Sequence, residues 1–139
     1  MATVQKSLRL PKEMAKPIEE MARAAGRDFS SMVNELVSEA VKMRRCPGII
    51  FVDGPSGRRA HLAGTGLAVW EIIALYHSVN QNEKRLQKAC HWLTTAQVRA
   101  ALGYYHAYPQ EIDERLTSNH QWTLEYLTQQ HPSLVVRRP

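Results

Sequence analysis

Three polar side chains alternate along the start of the chain, Gln5, Ser7 and Arg9. In a β-strand they would share one face about 6.6–7 Å apart, which is close to two base-pair steps of DNA. All three can hydrogen-bond base edges in the major groove, and Arg9 is best suited to guanine. This pattern favours DNA binding. A solvent-facing surface in a dimerisation module has the same spacing and stays open at this point.

Ser30 and Ser31 form a second candidate set, at the predicted start of a helix. Hydroxyl and backbone N–H groups at a helix start can hold a phosphate. Ordinary helix capping uses the same groups, and the two roles are compatible.

The strand that must position Gln5, Ser7 and Arg9 carries Val4, Leu8 and Leu10 on its other face and stops at Pro11. A lone strand leaves its backbone groups unpaired, and the chain that follows it is helical. We therefore expect pairing with the same strand of a second copy. The resulting two-stranded antiparallel ribbon fits the major groove.

Two amphipathic helices are predicted next, separated by Gly26. Pro11 is expected to open the first helix, and Pro17 predicts that this helix either begins late, near Lys16, or is kinked. Asp28 or Ser30 can cap the second helix. Apolar residues at helical spacing form the stripe of the first helix (Met14, Ile18, Met21, Ala22, Ala25) and that of the second (Met32, Val33, Leu36, Val37, Ala40, Val41).

Residues 1–45 resemble the ribbon-helix-helix family of bacterial repressors and antitoxins. The resemblance rests on the strand Ser7–Pro11, the break at Gly26, Ser30 and the apolar stripe 32–41. It implies an intertwined dimer whose paired strands enter the major groove. It places the base contacts on Gln5, Ser7 and Arg9 and the phosphate contact at the helix start, on Ser30. Pro17 and Lys6 depart from the usual pattern.

The rest of the chain predicts a hairpin and four helices. Pro47-Gly48 marks the boundary, residues 49–52 and 59–62 read as strands, and residues 53–57 read as a tight loop. Helices are predicted from Val69, from Glu83 to Cys90, from a Thr94/Gln97 capping box, and from Pro109 to His131. The predicted domains are 1–45, 46–116 and a helical extension with a mobile tail, 117–139.

Residues 46–116 are similar to a small bacterial domain of uncertain function, described as an antitoxin-like helix-turn-helix domain. Gly57–Val69 and Leu93–Tyr105 carry the similarity; Gly66 and Ala60 stand where that family usually has arginine and proline. Genes of that family commonly neighbour toxins with a PIN-like nuclease fold. The similarity therefore implies a domain that binds and neutralises such a toxin.

Arg58 and Arg59 in the hairpin suit a second nucleic-acid contact or the carboxylate-rich site of such a nuclease, and equally a solvated hairpin. Four aromatic residues, Trp70, Tyr104, Tyr105 and Tyr108, have helical spacing that favours packing over base stacking. The acidic residues Glu111, Asp113 and Glu114 read as a charged helix face, not as an acid/base pair.

Charge and cysteine content narrow the class of protein. The 139 residues have a net charge of +5, and residues 1–45 hold nine Lys/Arg against six acidic residues, so a dimer would concentrate positive charge beside the ribbon. Cys46 and Cys90 suggest buried thiols in a reducing cytoplasm. The six histidines lack ligand spacing, so no metal or other cofactor is expected. Neither a membrane span nor a catalytic motif is predicted.

The sequence thus predicts a mainly α, cytoplasmic protein, with a ribbon-helix-helix dimer followed by a hairpin-and-helix, winged-helix-like domain. Its expected role is a DNA-binding transcriptional repressor and antitoxin that binds its own operator and a PIN-like toxin. Dimers that pair into tetramers are compatible with this scheme. The alternative is a protein-binding oligomerisation adaptor without specific DNA contact. An enzyme is not expected.

Overall fold

The computed structural model describes residues 2–55 and 57–119. It is mainly helical, with one small antiparallel hairpin, as the sequence predicts. Two compact units divide the chain, Met1–Arg44 and Arg45–Pro139. The predicted tail, the end of the last helix at His131 and the turn residue Ser56 lie outside the described residues.

The first unit contains helix α1, Lys12–Ala25, and most of helix α2, Phe29–Arg45. Pro11 caps α1 and its carbonyl accepts hydrogen bonds from Met14 and Ala15, both at 3.0 Å. The structure confirms that Pro11 opens α1 and, of the two alternatives for Pro17, excludes the late start near Lys16. Pro17 lies inside the helix, where it removes one backbone hydrogen bond without delaying the helix start.

Gly26 ends α1 in the left-handed conformation, with φ of 65°. The N–H of Arg27 then donates to the Ala22 carbonyl at 2.9 Å, which closes a Schellman-type turn. Asp28 caps α2, because its Oδ1 accepts from the Ser31 N–H at 2.7 Å. The sequence left Asp28 and Ser30 as alternatives, and the structure selects Asp28.

Gly26 gives a stability prediction. Gly26→Ala should lower the free energy of unfolding by about 1 kcal/mol, because a left-handed φ strains an L side chain. An added Cβ meets nothing within 4 Å, so no clash contributes. The matched control is Gly103→Ala, in helix α5 (Thr95–Ala107), which also has open space and should raise stability by about 0.5–1 kcal/mol. Urea unfolding of both variants checks the opposite signs, and equal signs would contradict this account.

The second unit begins with the hairpin β1, Ile49–Gly54, and β2, Gly57–Leu62. The register pairs Ile49 with Leu62 and Gly54 with Gly57, so both strands extend into the residues predicted as loop. Gly57 allows this short turn because it adopts a φ of 106°. Four helices follow: α3, Val69–Ser78; α4, Glu83–Ala89; α5, Thr95–Ala107; and α6, Pro109–Asn119 as far as the described residues extend.

The core of the second unit lies where α3 packs on α5 and α6 and where the hairpin meets α5. Its fully buried side chains include Leu62, Val69, Ile72, Ile73, Leu86, Cys90, Val98 and Tyr104. Trp70, Tyr105 and Tyr108 pack against this core, which confirms the prediction that these aromatic residues have a packing role. Cys46 and Cys90 are both buried free thiols, and burial raises the pKa of each above its ordinary value.

The helix starts in the second unit follow local rules. Thr94 and Gln97 form the predicted capping box, with Thr94 Oγ1 accepting from the Gln97 N–H at 3.1 Å and Gln97 Oε1 accepting from the Thr94 N–H at 2.9 Å. Pro109 opens α6 as expected. Within residues 2–55 and 57–119, none of the helices is both long and apolar enough to cross a membrane.

Candidate nucleic-acid interface

The segment from Ala2 to Leu10 carries the three predicted base-contacting residues. All of Gln5, Ser7 and Arg9 are exposed, and residues 2–10 form no strand within the described chain. Two apolar residues of the same segment are exposed as well, Val4 at 76% and Leu8 at 71%. Polar and apolar residues therefore alternate over Ser7–Leu10, and Lys6 interrupts the apolar face before them.

Helices α1 and α2 leave much of their apolar surface uncovered in the single chain. The exposed side chains include Met14, Met21, Val37 and Val41. Within residues 2–44 the buried side chains are Ala22, Met32 and the acidic Glu39. Exposed apolar side chains on both helices make these helix faces suited to contact with another chain.

The start of α2 is arranged around Asp28 and Arg27. The Ser31 N–H is already bound by Asp28, and the Arg27 guanidinium donates to the Ser31 hydroxyl at 2.9 Å and to its carbonyl at 3.2 Å. Arg27 also pairs with Glu35 at 3.0 Å. Of the two predicted phosphate-binding serines, Ser31 is thus engaged internally, whereas Ser30 is exposed on the first turn of α2.

Arg27 is the residue at this helix start that the sequence reasoning missed. Its spacing of four residues from Ser31 and eight from Glu35 would have placed all three along one side of α2 and its entry turn. The arginine supplies a cation beside Ser31, and Asp28 and Glu35 supply opposing negative charges.

The two hairpin arginines are not brought together as one patch. Arg58 lies opposite Asp53 in the register and pairs with it at 3.2 Å. Arg59 is the next residue of the same strand, so its side chain leaves from the opposite face, and it is half-buried. The side chains of Arg58 and Arg59 therefore do not form one contact surface on this hairpin.

The carboxylates at the start of α6 hold two tyrosines of α5. Tyr104 donates its hydroxyl hydrogen to Glu111 at 2.6 Å, and Tyr105 donates to Asp113 at 2.7 Å. The hydrogen bond to Asp113, with burial, raises the pKa of Tyr105 to about 12. The sequence prediction of a merely charged helix face missed these links. The spacings of seven and eight residues across the Ala107–Pro109 turn were the available signal.

Comparison with known proteins does not identify this arrangement. The chain matches no family model, no curated protein and no solved structure. The resemblance of residues 1–45 and the similarity of residues 46–116 therefore stay predictions, and the functional argument depends on the residues described above.

Proposed function

We propose that this protein is a sequence-specific DNA-binding homodimer that acts as a transcriptional repressor. The observation that carries the proposal is the exposed segment 2–9, in which polar and apolar residues alternate from Ser7 onward and which precedes two helices with uncovered apolar stripes. One event explains both features, because pairing with a second copy satisfies the strand backbone and covers the helix faces.

In the proposed dimer the paired segments form a ribbon that enters the major groove. Gln5, Ser7 and Arg9 then face base edges, and the start of α2 approaches the sugar-phosphate backbone through Ser30. Two-fold symmetry of the ribbon requires a near-palindromic operator. The excess of basic residues in residues 1–45 supplies the charge that phosphate neutralisation needs.

The proposal extends to an antitoxin that represses its own operon and neutralises a PIN-like nuclease. Its support is the similarity of residues 46–116 and the basic hairpin, since a nuclease of this type presents clustered carboxylates. Arg58 is the better placed of the two arginines, because Arg59 is half-buried. Coexpression with a nuclease encoded in the adjacent gene should yield a stable complex; separate elution of the two proteins would remove this part of the proposal.

A second candidate function is a protein-binding oligomerisation adaptor without specific DNA contact. The observation that favours it is Asp28, whose carboxylate binds the Ser31 N–H at the helix start where a phosphate would lie. In the adaptor the ribbon would serve assembly alone. The two functions differ in whether any duplex is bound with a sequence preference.

Arg9→Ala separates these two functions. A duplex selected by the wild-type protein from a random-sequence library should lose roughly 1–3 kcal/mol of binding free energy, because a bidentate contact to guanine is lost. Preference at one base pair of each half-site should relax. Fluorescence anisotropy on the selected duplex and on its single-base variants measures both effects.

The matched control is Lys12→Ala, which also removes one positive charge near the segment but lies in the first turn of α1. Lys12→Ala should weaken binding to all duplexes by a similar factor and leave the base preference intact. If the selection yields no preferred sequence at any salt concentration, the repressor proposal fails and the adaptor remains.

A further inference from the structure

Charge is distributed unevenly over the helices of the second unit. Residues 81–99, which span α4 and the start of α5, hold four basic residues against the single acidic Glu83. Helix α6 has the opposite balance over Pro109–Asn119, with three acidic residues against Arg115. Lys84, Lys88 and Arg99 are all exposed. The α4–α5 region is therefore a local positive surface on a unit whose total charge is modest.

A groove of about 690 Å³ lies between α4 and α5, within this positive region. Lys84 and Gln87 of α4 line one side, and Thr95 and Arg99 of α5 line the other. Arg99 approaches Glu83 across the groove at 3.8 Å, and its side chain is 73% exposed. An exposed ion pair of this length is weak, so the guanidinium can exchange Glu83 for another anion at little cost.

An exposed aromatic side chain lies in the turn between the same two helices. Trp92 is 61% exposed and contacts the His91 ring edge-on at 5.3 Å, whereas its neighbour Leu93 is buried. Tryptophan combines a large apolar ring with one N–H donor, and it favours surfaces that are partly apolar and partly polar. A deoxyribose-phosphate backbone is such a surface, with sugar carbons next to anionic oxygens.

We propose that the α4–α5 surface, comprising Lys84, Lys88, Trp92, Thr95 and Arg99, is a second DNA contact that binds the phosphate backbone. The inference rests on the proposed function, since it assigns the second unit to the same class of partner. Charge complementarity selects this partner: the cations are exposed on both walls of an open groove, and Lys88 follows Lys84 by one helical turn.

A second contact changes how the whole chain binds. The two units are covalently joined, so DNA held by the first unit is presented to the second at high effective concentration. The α4–α5 surface then adds affinity without sequence preference, because phosphate contacts carry no base information. The N-terminal segment retains the selection of the operator.

The test compares the full-length wild-type protein with Lys84→Gln/Arg99→Gln on a 30-base-pair duplex of arbitrary sequence, over a range of salt concentrations. The double variant should bind roughly tenfold more weakly at low salt. The slope of log affinity against log salt should fall by about 2 for each chain engaged. Unchanged affinity and slope would overturn the proposal and leave this surface to an acidic protein.

Two single variants with the same change of charge exclude a general electrostatic or folding effect. Glu83→Gln removes the acidic residue facing Arg99 and should tighten binding to the duplex, which is opposite in sign to the double variant. Glu114→Gln removes one negative charge at an exposed position of α6 and should change binding to the duplex much less. Equal effects of Glu83→Gln and Glu114→Gln would overturn a local contact in the groove.

Arg9→Ala separates failure of this inference from failure of the proposed function. On the arbitrary duplex Arg9→Ala should weaken binding only by the effect of one lost charge, as Lys12→Ala does, whereas the double groove variant should weaken it more strongly. If the groove variants weaken binding but the protein shows no preferred sequence, the second contact stands and the repressor function fails. If only Arg9→Ala acts, and only on a selected sequence, the repressor stands and the second contact is overturned.

Discussion

Leu8→Lys should convert the proposed dimer into a monomer and abolish its sequence-specific DNA binding. In the single chain Leu8 is exposed, so a lysine there costs the fold of one subunit nothing. In the proposed ribbon the same side chain faces the dimer core, where burial of each leucine contributes about 1.5–3 kcal/mol. Two copies are lost per dimer, so the dissociation constant of the dimer should rise by at least roughly 100-fold.

Light scattering over a range of protein concentrations measures this change, with circular dichroism as a check that the helices persist. The matched control is Ser7→Lys, which places the same side chain on the neighbouring residue and hence on the opposite strand face. It should keep the dimer mass and alter only DNA binding. A Leu8→Lys protein with the mass of the wild-type dimer would show that the leading segments do not pair through this face.

Tyr104→Ala should cost the second unit about 3–5 kcal/mol, the range for removing a buried aromatic side chain. Tyr104 is fully buried, its ring lies 5.1 Å from Tyr108 and 6.4 Å from Phe51 between centroids, and its hydroxyl reaches Glu111. One truncation therefore opens a cavity at the contact of β1, α5 and α6. Urea unfolding followed by a probe confined to the second unit measures the loss.

Tyr104→Phe keeps the ring and removes only the hydroxyl, so it should cost about 1–2 kcal/mol. It also tests pH dependence. Burial and the bond to Glu111 raise the pKa of Tyr104 above its usual 10.0. The contribution of the Tyr104 hydroxyl to the free energy of unfolding is therefore complete below pH 10. It is lost as the pH rises above 10, because the tyrosine ionises in the unfolded chain before it ionises in the folded protein. The stability of Tyr104→Phe should therefore fall less steeply above pH 10 than that of the wild type. A Tyr104→Ala variant as stable as the wild type would contradict the placement of Tyr104 in the core.

The sequence predicted well those elements that local rules control. The Thr94/Gln97 capping box, the stop at Gly26 and the start at Pro109 each depend on residues within a few positions, and all three are present in the structure. The hairpin was predicted, but its strands were predicted too short, because Gly57 adopts a positive φ that permits a tighter turn than the composition of residues 53–57 suggests.

The features that the sequence did not predict depend on contacts between elements or on competition between neighbours. Which of Asp28 and Ser30 caps α2 depends on backbone geometry, and the Arg27 contacts follow from that choice. The links from Tyr104 to Glu111 and from Tyr105 to Asp113 require the angle at which α6 turns back on α5. The groove beside Arg99 likewise exists only once α4 and α5 are placed.

The N-terminal segment differs from these elements, because the partner proposed for its backbone is a second copy of the chain. Alternation identifies the faces of a strand, but in the proposed dimer the hydrogen bonds that would make it a strand come from a second molecule. Gln5, Ser7 and Arg9 therefore remain a predicted site, whose geometry depends on dimer formation.

The two cysteines have a practical consequence for measuring these effects. Both sulfur atoms lie within the core of the second unit, and their raised pKa values leave them as thiols instead of reactive thiolates. An alkylating reagent gains access to them only when that core opens. The rate of cysteine alkylation in the native protein therefore reports local unfolding of the second unit. By the same reasoning, a cysteine introduced on the exposed leading segment would be the only cysteine that a thiol-reactive dye modifies while the fold is intact.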